Sequence, residues 1–455
     1  MAAPDFRKRV LRVIFVSLLL DLISFTFILP LFPKLLEFYR NLDAESGNTN
    51  TVLNQVLRGL NTYKNSFARP INDRYDIVLL GGALGSLFSL CQAIASPIIG
   101  TLSDTYGRRT ALMWSMVGNI LSVALWVAAT DFRTFLASRV VGGLSEGNVQ
   151  LALAIATDIS DEKQRGSTMA LVGVCFSIAF TFGPALGAYL ANITTVAANP
   201  FATAAAFSLF LIVTETLYLY FSLPETHVSS SSSKPTDSTP TTNGHAKSAA
   251  NIKSPRTPTT KEQPHRTNSH FLLNFTHFAF ILFFSGIEFS LPFLTYNLFQ
   301  YDSRRNGSLL GFIGLIASLL QGSLVRRLPP LLNVRIGVLS CCVAFFLLSQ
   351  ITSRAGLYAA ATGLAVTSST VVTGLTSLSS LEAGQEERGG KLGNHRSWGQ
   401  VGRALGPLVF CSLYWWTGRD LAYRIGGAGM IGVAGIVWGF LRQPKIVEGK
   451  TEKAA

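Results

Sequence analysis

Gly100-Thr-Leu-Ser-Asp104-Thr-Tyr-Gly107-Arg108-Arg109-Thr-Ala-Leu112 is the stretch on which the reading of this chain turns. It is an acidic, twin-arginine turn between two long apolar runs, one ending at Ile99 and the next beginning at Ala111. A turn this short and charged between two membrane spans lies on a water-facing surface, and its arginines place it on the cytoplasmic side. Its glycines permit the reversal and let two helix ends approach closely. Asp104 can then pair with an arginine or cap the following helix, while Arg108 and Arg109 face the headgroups.

The composition agrees with a membrane setting. Of the 455 residues 48% are hydrophobic and only 14% charged, 31 are Phe, and the mean hydropathy is +0.36, which excludes an ordinary soluble globule and implies a polytopic membrane protein. A net charge of +13 could suggest nucleic acid. The basic residues, however, sit in loops between apolar runs without interleaved aromatics, so membrane topogenesis explains them and no nucleic-acid partner is expected. Cys91, Cys175, Cys341, Cys342 and Cys411 fall inside apolar segments. They read as small packing residues, with neither disulfide nor zinc expected. The basic N-terminus and the apolar run behind it lack a small-residue cleavage site and read as an uncleaved first span.

Apolar windows of roughly 20 residues give spans near 10–30, 77–99, 111–129, 132–157, 167–190 and 201–223, then 271–294, 306–325, 334–352, 355–380, 397–417 and 421–441. The expected architecture is therefore all-α: a six-helix bundle over 1–223, a Ser/Thr/Pro-rich cytoplasmic linker over 224–270, a second six-helix bundle over 271–441, and a tail over 442–455. The linker is too polar to fold. With both termini cytoplasmic, Lys and Arg number about 24 inside against about 12 outside, as the positive-inside rule requires. The long polar segment 31–75 faces away from the cytosol and is either functional or unstructured. The halves echo each other: Gly183-Pro184 of the fifth span returns as Gly406-Pro407 of the eleventh, and Gly100 after the second span as Gly322 after the eighth. Such a repeat is how secondary transporters build a site between two bundles. The second copy of the turn, Gln321-Gly322-Ser-Leu-Val-Arg326-Arg327, lacks the acid, so a gate using Asp104 is asymmetric between the halves.

The register of Gly100, Asp104, Gly107, Arg108 and Arg109 resembles the loop between helices two and three of the major facilitator superfamily. Leu20-Asp21 with Pro30, the Arg139-x-x-x-Gly143 of span four, and Gly173 with Gly183-Pro184-Ala-Leu-Gly187 of span five resemble the drug:proton antiporter branch, closest to its tetracycline-transporter-like proteins. Asp158 to Arg165 resembles the charged loop after helix four, and Pro224-Glu225-Thr226 the ending of helix six. The resemblance implies the twelve-helix major facilitator fold, alternating access, and drug or organic-anion efflux coupled to protons.

No nucleophile elbow, P-loop or zinc-binding histidine pair is present, so the chain reads as no enzyme, with no cofactor and no metal. Ionisable groups inside spans are costly unless they face a cavity or a partner. Asp21 lies about 16 Å into span one, near the midplane. It is either a coupling site or the structural partner of a buried cation such as Arg139 or Arg403. Glu146 follows Arg139 by seven residues on the same helical face and departs from the family pattern. It reads as a second proton site, a substrate contact or an ion-pair partner. Glu288 and Arg403 are the second-half charges expected to line the cavity, and Glu215 can face it too. The six histidines look scattered, most of them in loops. The expected partners are a small amphiphilic solute, protons and the bilayer, engaged by a monomer in the plasma membrane or an endomembrane. A gradient-independent uniporter and a non-transporting sensor or scaffold are the alternatives.

Overall fold

The computed structural model describes residues 4–28, 31–45, 50–66, 74–190, 193, 199–226, 267–301 and 303–444. Pro30, most of the linker with its Thr-Pro and Ser-Pro pairs, and nearly all of the tail lie outside the described residues. The first half consists of α1 (Pro4–Thr26), α2 (Phe32–Glu45), α3 (Val52–Asn65), α4 (Arg74–Tyr106), α5 (Arg108–Val127), α6 (Phe132–Ser145), α7 (Asn148–Asp158), α8 (Glu162–Leu190) and α9 (Ala202–Ser222). The second consists of α10 (His270–Phe299), α11 (Ser303–Leu320) with a π-helical turn over Gln321–Val325, α12 (Pro330–Gln350), α13 (Arg354–Glu382), α14 (Arg388–Thr417) and α15 (Arg419–Gly439).

Counting α6 and α7 as one broken helix, these make six long passes in each half. Nine helices are, among the described residues, long and apolar enough to cross a membrane by themselves. The three other passes are α1, the α6–α7 pair and α14. Charge explains α1 and α14: Arg7, Lys8, Arg9, Arg12 and Asp21 lie on the former, and Arg388, Lys391, Arg396 and Arg403 on the latter. The breakage of α6–α7 into pieces of 14 and 11 residues explains the third. The passes that fail the apolar test are the ones bearing most of the midplane chemistry, as expected where polar groups are tolerated only against a cavity or a partner.

Most buried apolar side chains separate into one core drawn from Val10 to Leu223 and another drawn from Leu273 to Leu441, and a small third cluster of Leu79, Phe293, Cys411 and Trp415 joins the halves. The repeat is visible in how glycines pack. A Cβ on Gly187 of α8 would come within 2.5 Å of Phe27 O, and one on Gly183 would strike Thr26, so α8 rides against the end of α1. Gly406 of α14 meets Leu282 and Ser285 of α10 in the same way. Fifth pass on first and eleventh on seventh are equivalent pairs under a six-helix repeat. Pro184 and Pro407 lie inside α8 and α14, one residue beyond these contacts.

Segment 31–75 is largely helical rather than unstructured. Leu35, Leu36 and Tyr39 of α2 and Leu53 of α3 are buried in the first core. Tyr63 of α3 reaches the second half, donating to Leu408 O at 3.1 Å and bonding the Ser412 hydroxyl.

Candidate functional site

Two sets of charged residues are candidates. The first lines the seam between the bundles at the face carrying Gly107. Here α4 does not end at Ile99 but continues through Tyr106, and the reversal is one residue, Gly107, at φ 96°, a value that favours glycine. Nor does Asp104 cap α5. Glu225, just beyond α9, does so instead, accepting from Arg108 N at 2.9 Å and Arg109 N at 3.1 Å and so satisfying two donors at the start of α5.

Arg108 does not face headgroups: it is fully buried. Its Nη1 donates to Asp104 Oδ1 at 2.6 Å and to Ser103 Oγ at 2.7 Å, and its Nε to Asp158 Oδ2 at 2.8 Å. The network then crosses to the second bundle. Arg388 Nη1 donates to Asp158 Oδ1 at 2.7 Å, and the Asp104 carboxylate accepts from Gly389 N at 2.9 Å and Gly390 N at 2.7 Å. Arg165 Nη1 donates to Ser380 O at 2.9 Å. Close approach makes this possible, because Gly100 lies directly on the Gly389–Gly390 backbone. Arg109 is the member oriented away, donating to Tyr220 O at 2.6 Å. The seam is closed at this face. Gly322, the counterpart of Gly100, has nothing within 4 Å of where its Cβ would be. Gln321 is buried instead, accepting from Ser177 Oγ of α8 at 2.7 Å and packing on Gly173.

The second set lies deeper within the first bundle. Asp21 of α1, Glu146 between α6 and α7, and Glu215 of α9 are all buried. Glu146 does not continue the helical face of Arg139, because the helix opens there: Ser145 ends α6, Gly147 N turns back to Ser145 O at 2.8 Å, and α7 starts at Asn148. The break sets Glu146 on the same cavity as Asp21 and Asn119. Asn148 Oδ1 accepts from Ser115 Oγ at 3.0 Å, and Asp21 Oδ2 and Asn148 Nδ2 have no hydrogen-bond partner among the described residues. Glu215 accepts from Ser17 Oγ at 2.6 Å. Arg139 stands between the rings of Trp126 and Phe135 at 5.9 and 5.5 Å and pairs with no carboxylate among the described residues. A cavity of about 40 Å³ touches Asp21, Asn119, Arg139 and Glu146. That is room for a few waters but not for an organic solute, whose pockets run to several hundred Å³.

In the second bundle Glu288 and Arg403 lie 3.6 Å apart, each 46% exposed, so this pair is not enclosed by protein, whereas the carboxylates of the first bundle are. Arg396 was missed by sequence reasoning. It lies on α14 seven residues before Arg403, and its buried Nε has no hydrogen-bond partner among the described residues. Three histidines are not loop residues: His270 opens α10, and two more lie inside helices. His277 of α10 and His395 of α14 are buried and stacked with ring centroids 4.3 Å apart, and His395 Nδ1 bonds Asn274 Oδ1 at 3.0 Å.

Residues 14–407 match the Major Facilitator Superfamily. The Mus musculus major facilitator superfamily domain-containing protein 10 is 35% identical over 93% of this chain and 91% of its own. The Escherichia coli class E tetracycline resistance protein is 26% identical over 73% of this chain and 78% of its own. The crystal structure of the human organic anion transporter MFSD10 (TETRAN) superposes with a TM-score of 0.82 at 29% identity, covering 96% of this chain and all of that one.

Proposed function

The chain belongs to the major facilitator superfamily as a multi-pass membrane transporter rather than an enzyme, and on that premise we propose that it moves a small organic anion by proton-coupled alternating access. The observation that carries this reading is the burial of Asp21 of α1 and Glu146 of the α6–α7 break, with Arg139 of α6, around one cavity. Carboxylates kept this deep without a direct ion pair are expensive unless they exchange a proton during the cycle. The similarity to a human organic anion transporter supports an anion as cargo. The closed Gly107 face and the small central cavity fit one end state of alternating access. The distribution of arginines supports a cytoplasmic Gly107 face and cytoplasmic termini, in the plasma membrane or an endomembrane. The resemblance to the antiporter branch supports exchange of protons for solute. The test is flux of aromatic carboxylates in proteoliposomes under imposed pH gradients and membrane potentials. Uptake that follows the pH gradient supports the reading, and flux that ignores both forces leaves a uniporter.

A further inference from the structure

The break in the fourth pass is built rather than frayed, and its centre is one torsion. Glu146 has φ −71°, already helical, but ψ 81°, and Gly147 after it stands at φ −106° and ψ −10°. With Gly147 N returning to Ser145 O at 2.8 Å, this is an inverse γ-turn set into a membrane pass. The backbone groups that such a turn frees are met by hydroxyls. Ser145 Oγ donates to Val141 O at 2.8 Å. Ser115 Oγ of α5 accepts from Gly147 N at 2.9 Å and shares its own proton between Ser145 O and Asn148 Oδ1. Gly118, one turn along α5, lies directly on the Ser145 side chain.

Resting on the alternating-access reading above, we propose that this bend is a joint with two settings, held in the broken one by Ser115, and that α7 is the lever through which it works the network at the Gly107 face. Bringing ψ of Glu146 to its helical value takes a turn of about 120° in that one bond. Then α6 and α7 run on as the single pass that their apolar sequence favours. Neither setting leaves buried backbone unmet. The broken one uses the two serines, and the continuous one restores the helical ladder while Ser115 turns to the carbonyl one turn back in α5. Two such settings can lie close in free energy. The eleven residues of α7 begin two positions after Glu146 and end at Asp158, the carboxylate shared by Arg108 and Arg388, so the lever is about 16 Å long. Gln150 Nε2 fixes it to α4, donating to Ser96 O at 2.9 Å, where Gly393 of α14 crosses. With α14 packed against it, α7 swings only as the bundles part, and its swing withdraws Asp158 from both arginines. The placement of Glu146 and the closure of the Gly107 face then change together.

The test uses the purified full chain in lipid nanodiscs, with spin labels at Thr105 and Glu386, both exposed at the Gly107 face. Ser115→Ala withdraws the hydroxyl that holds the break. Gly147→Ala favours continuous helix and adds a Cβ that would come within 2.8 Å of Ile99 and 2.9 Å of Ser115 Oγ. Each should lower the closed-to-open ratio about tenfold, although neither residue belongs to the network. Ser122→Ala is the matched control. It removes a bond of the same kind, from α5 to Ser138 O of α6 at 2.7 Å, on the side of the break away from α7, and should leave the ratio unchanged. The two joint variants reach the break from different helices, so either decides alone if the other does not fold. Where the wild type samples the long distance, an unchanged ratio in either folded joint variant, or an equal shift in Ser122→Ala, overturns the lever and leaves alternating access standing. A face that gives only the short distance in the wild type and every variant, at acidic and alkaline pH alike, overturns alternating access, and the lever with it.

Discussion

Gly100→Ala adds one methyl group at the tightest crossing of the seam. Its Cβ would overlap Gly389 O and come within 2.9 Å of the Gly389 carbonyl carbon, with Gly390 Cα at 3.2 Å. Backbone lies on both sides, so no side chain can rotate away, and ordinary carbon contacts require the helices to part by about 1 Å. At that separation the bonds from Gly389 N and Gly390 N to Asp104, now 2.9 and 2.7 Å, exceed hydrogen-bonding range. Each is a bond to a charged acceptor, so losing both disfavours the closed face by about 3–6 kcal/mol, or roughly 10²–10⁴ in the closed-to-open ratio. Spin labels at Thr105 and Glu386, both exposed at this face, would read the change in a background lacking the five native cysteines. The wild type should give mainly the short distance and Gly100→Ala mainly the long one. Gly389→Ala, whose Cβ would meet Arg108, Ser103 and Gly100 O, should do the same. The double variant should add little, because a seam already parted has no second clash. An unchanged distance distribution in a well-folded Gly100→Ala would refute the assignment of this contact as the lock.

Asp158→Ala removes the carboxylate shared by Arg108 and Arg388. It leaves the buried Arg108 with one acidic partner and should cost about 3–5 kcal/mol, read as a lower melting temperature together with an opened Gly107 face. Asp21→Asn should keep the wild-type melting temperature, since Asp21 has no direct arginine partner among the described residues to strand, while pH-driven uptake stalls; full pH-driven uptake would move the proton to Glu146. Tyr63→Phe keeps the ring against Trp415 but removes the hydroxyl that ties α3 to α14, and should favour opening of the opposite face by about 1 kcal/mol, or roughly fivefold, in the same distance measurement between exposed labels there. Burial holds the Tyr63 phenol above the ordinary tyrosine range, so this tie should not vary across neutral pH.

The fold was legible because the apolar runs and the register of Gly100, Asp104, Gly107 and the arginine pair are local features. What the sequence concealed had two physical sources. Where partners come from distant segments, local reading misplaced the side chain. Arg108 looks like a headgroup arginine until Asp158, 50 residues on, closes over it. Where charge dilutes an apolar run, the window slid. Arg388, Lys391 and Arg396 pushed the expected start of the eleventh span to residue 397, whereas α14 begins at Arg388. His395 and Arg396 were lost with the discarded turns. The break at Glu146 hid for the opposite reason, since apolar residues continue on both sides of Glu146-Gly147, and only the glycine beside a buried acid hinted at it. In segment 31–75 the helical spacing of Leu35, Leu36 and Tyr39 was the available clue.

The carboxylates of the two charged sets differ in how completely they are bonded, and that difference fits the roles proposed for them. At the Gly107 face both oxygens of Asp104 and of Asp158 are bonded, by Arg108 just after the chain reversal and by Arg388, Gly389 N and Gly390 N of the opposite bundle. Carboxylates so fully bonded in one arrangement have much to lose in another, which suits a lock with two discrete states. Deeper in the first bundle Asp21 and Glu215 each keep a buried carboxylate oxygen with no hydrogen-bond partner among the described residues. Unmet hydrogen-bonding capacity of that kind is costly in a finished core but necessary where a proton must come and go, because a site already saturated by its own side chains has nothing left to offer a ligand. Coupling then requires only that filling the deeper set changes the balance of bundle arrangements that the face network holds. Glu146 stands just before α7 and Asp158 ends it, so that one short helix spans both sets and can carry the change from one to the other.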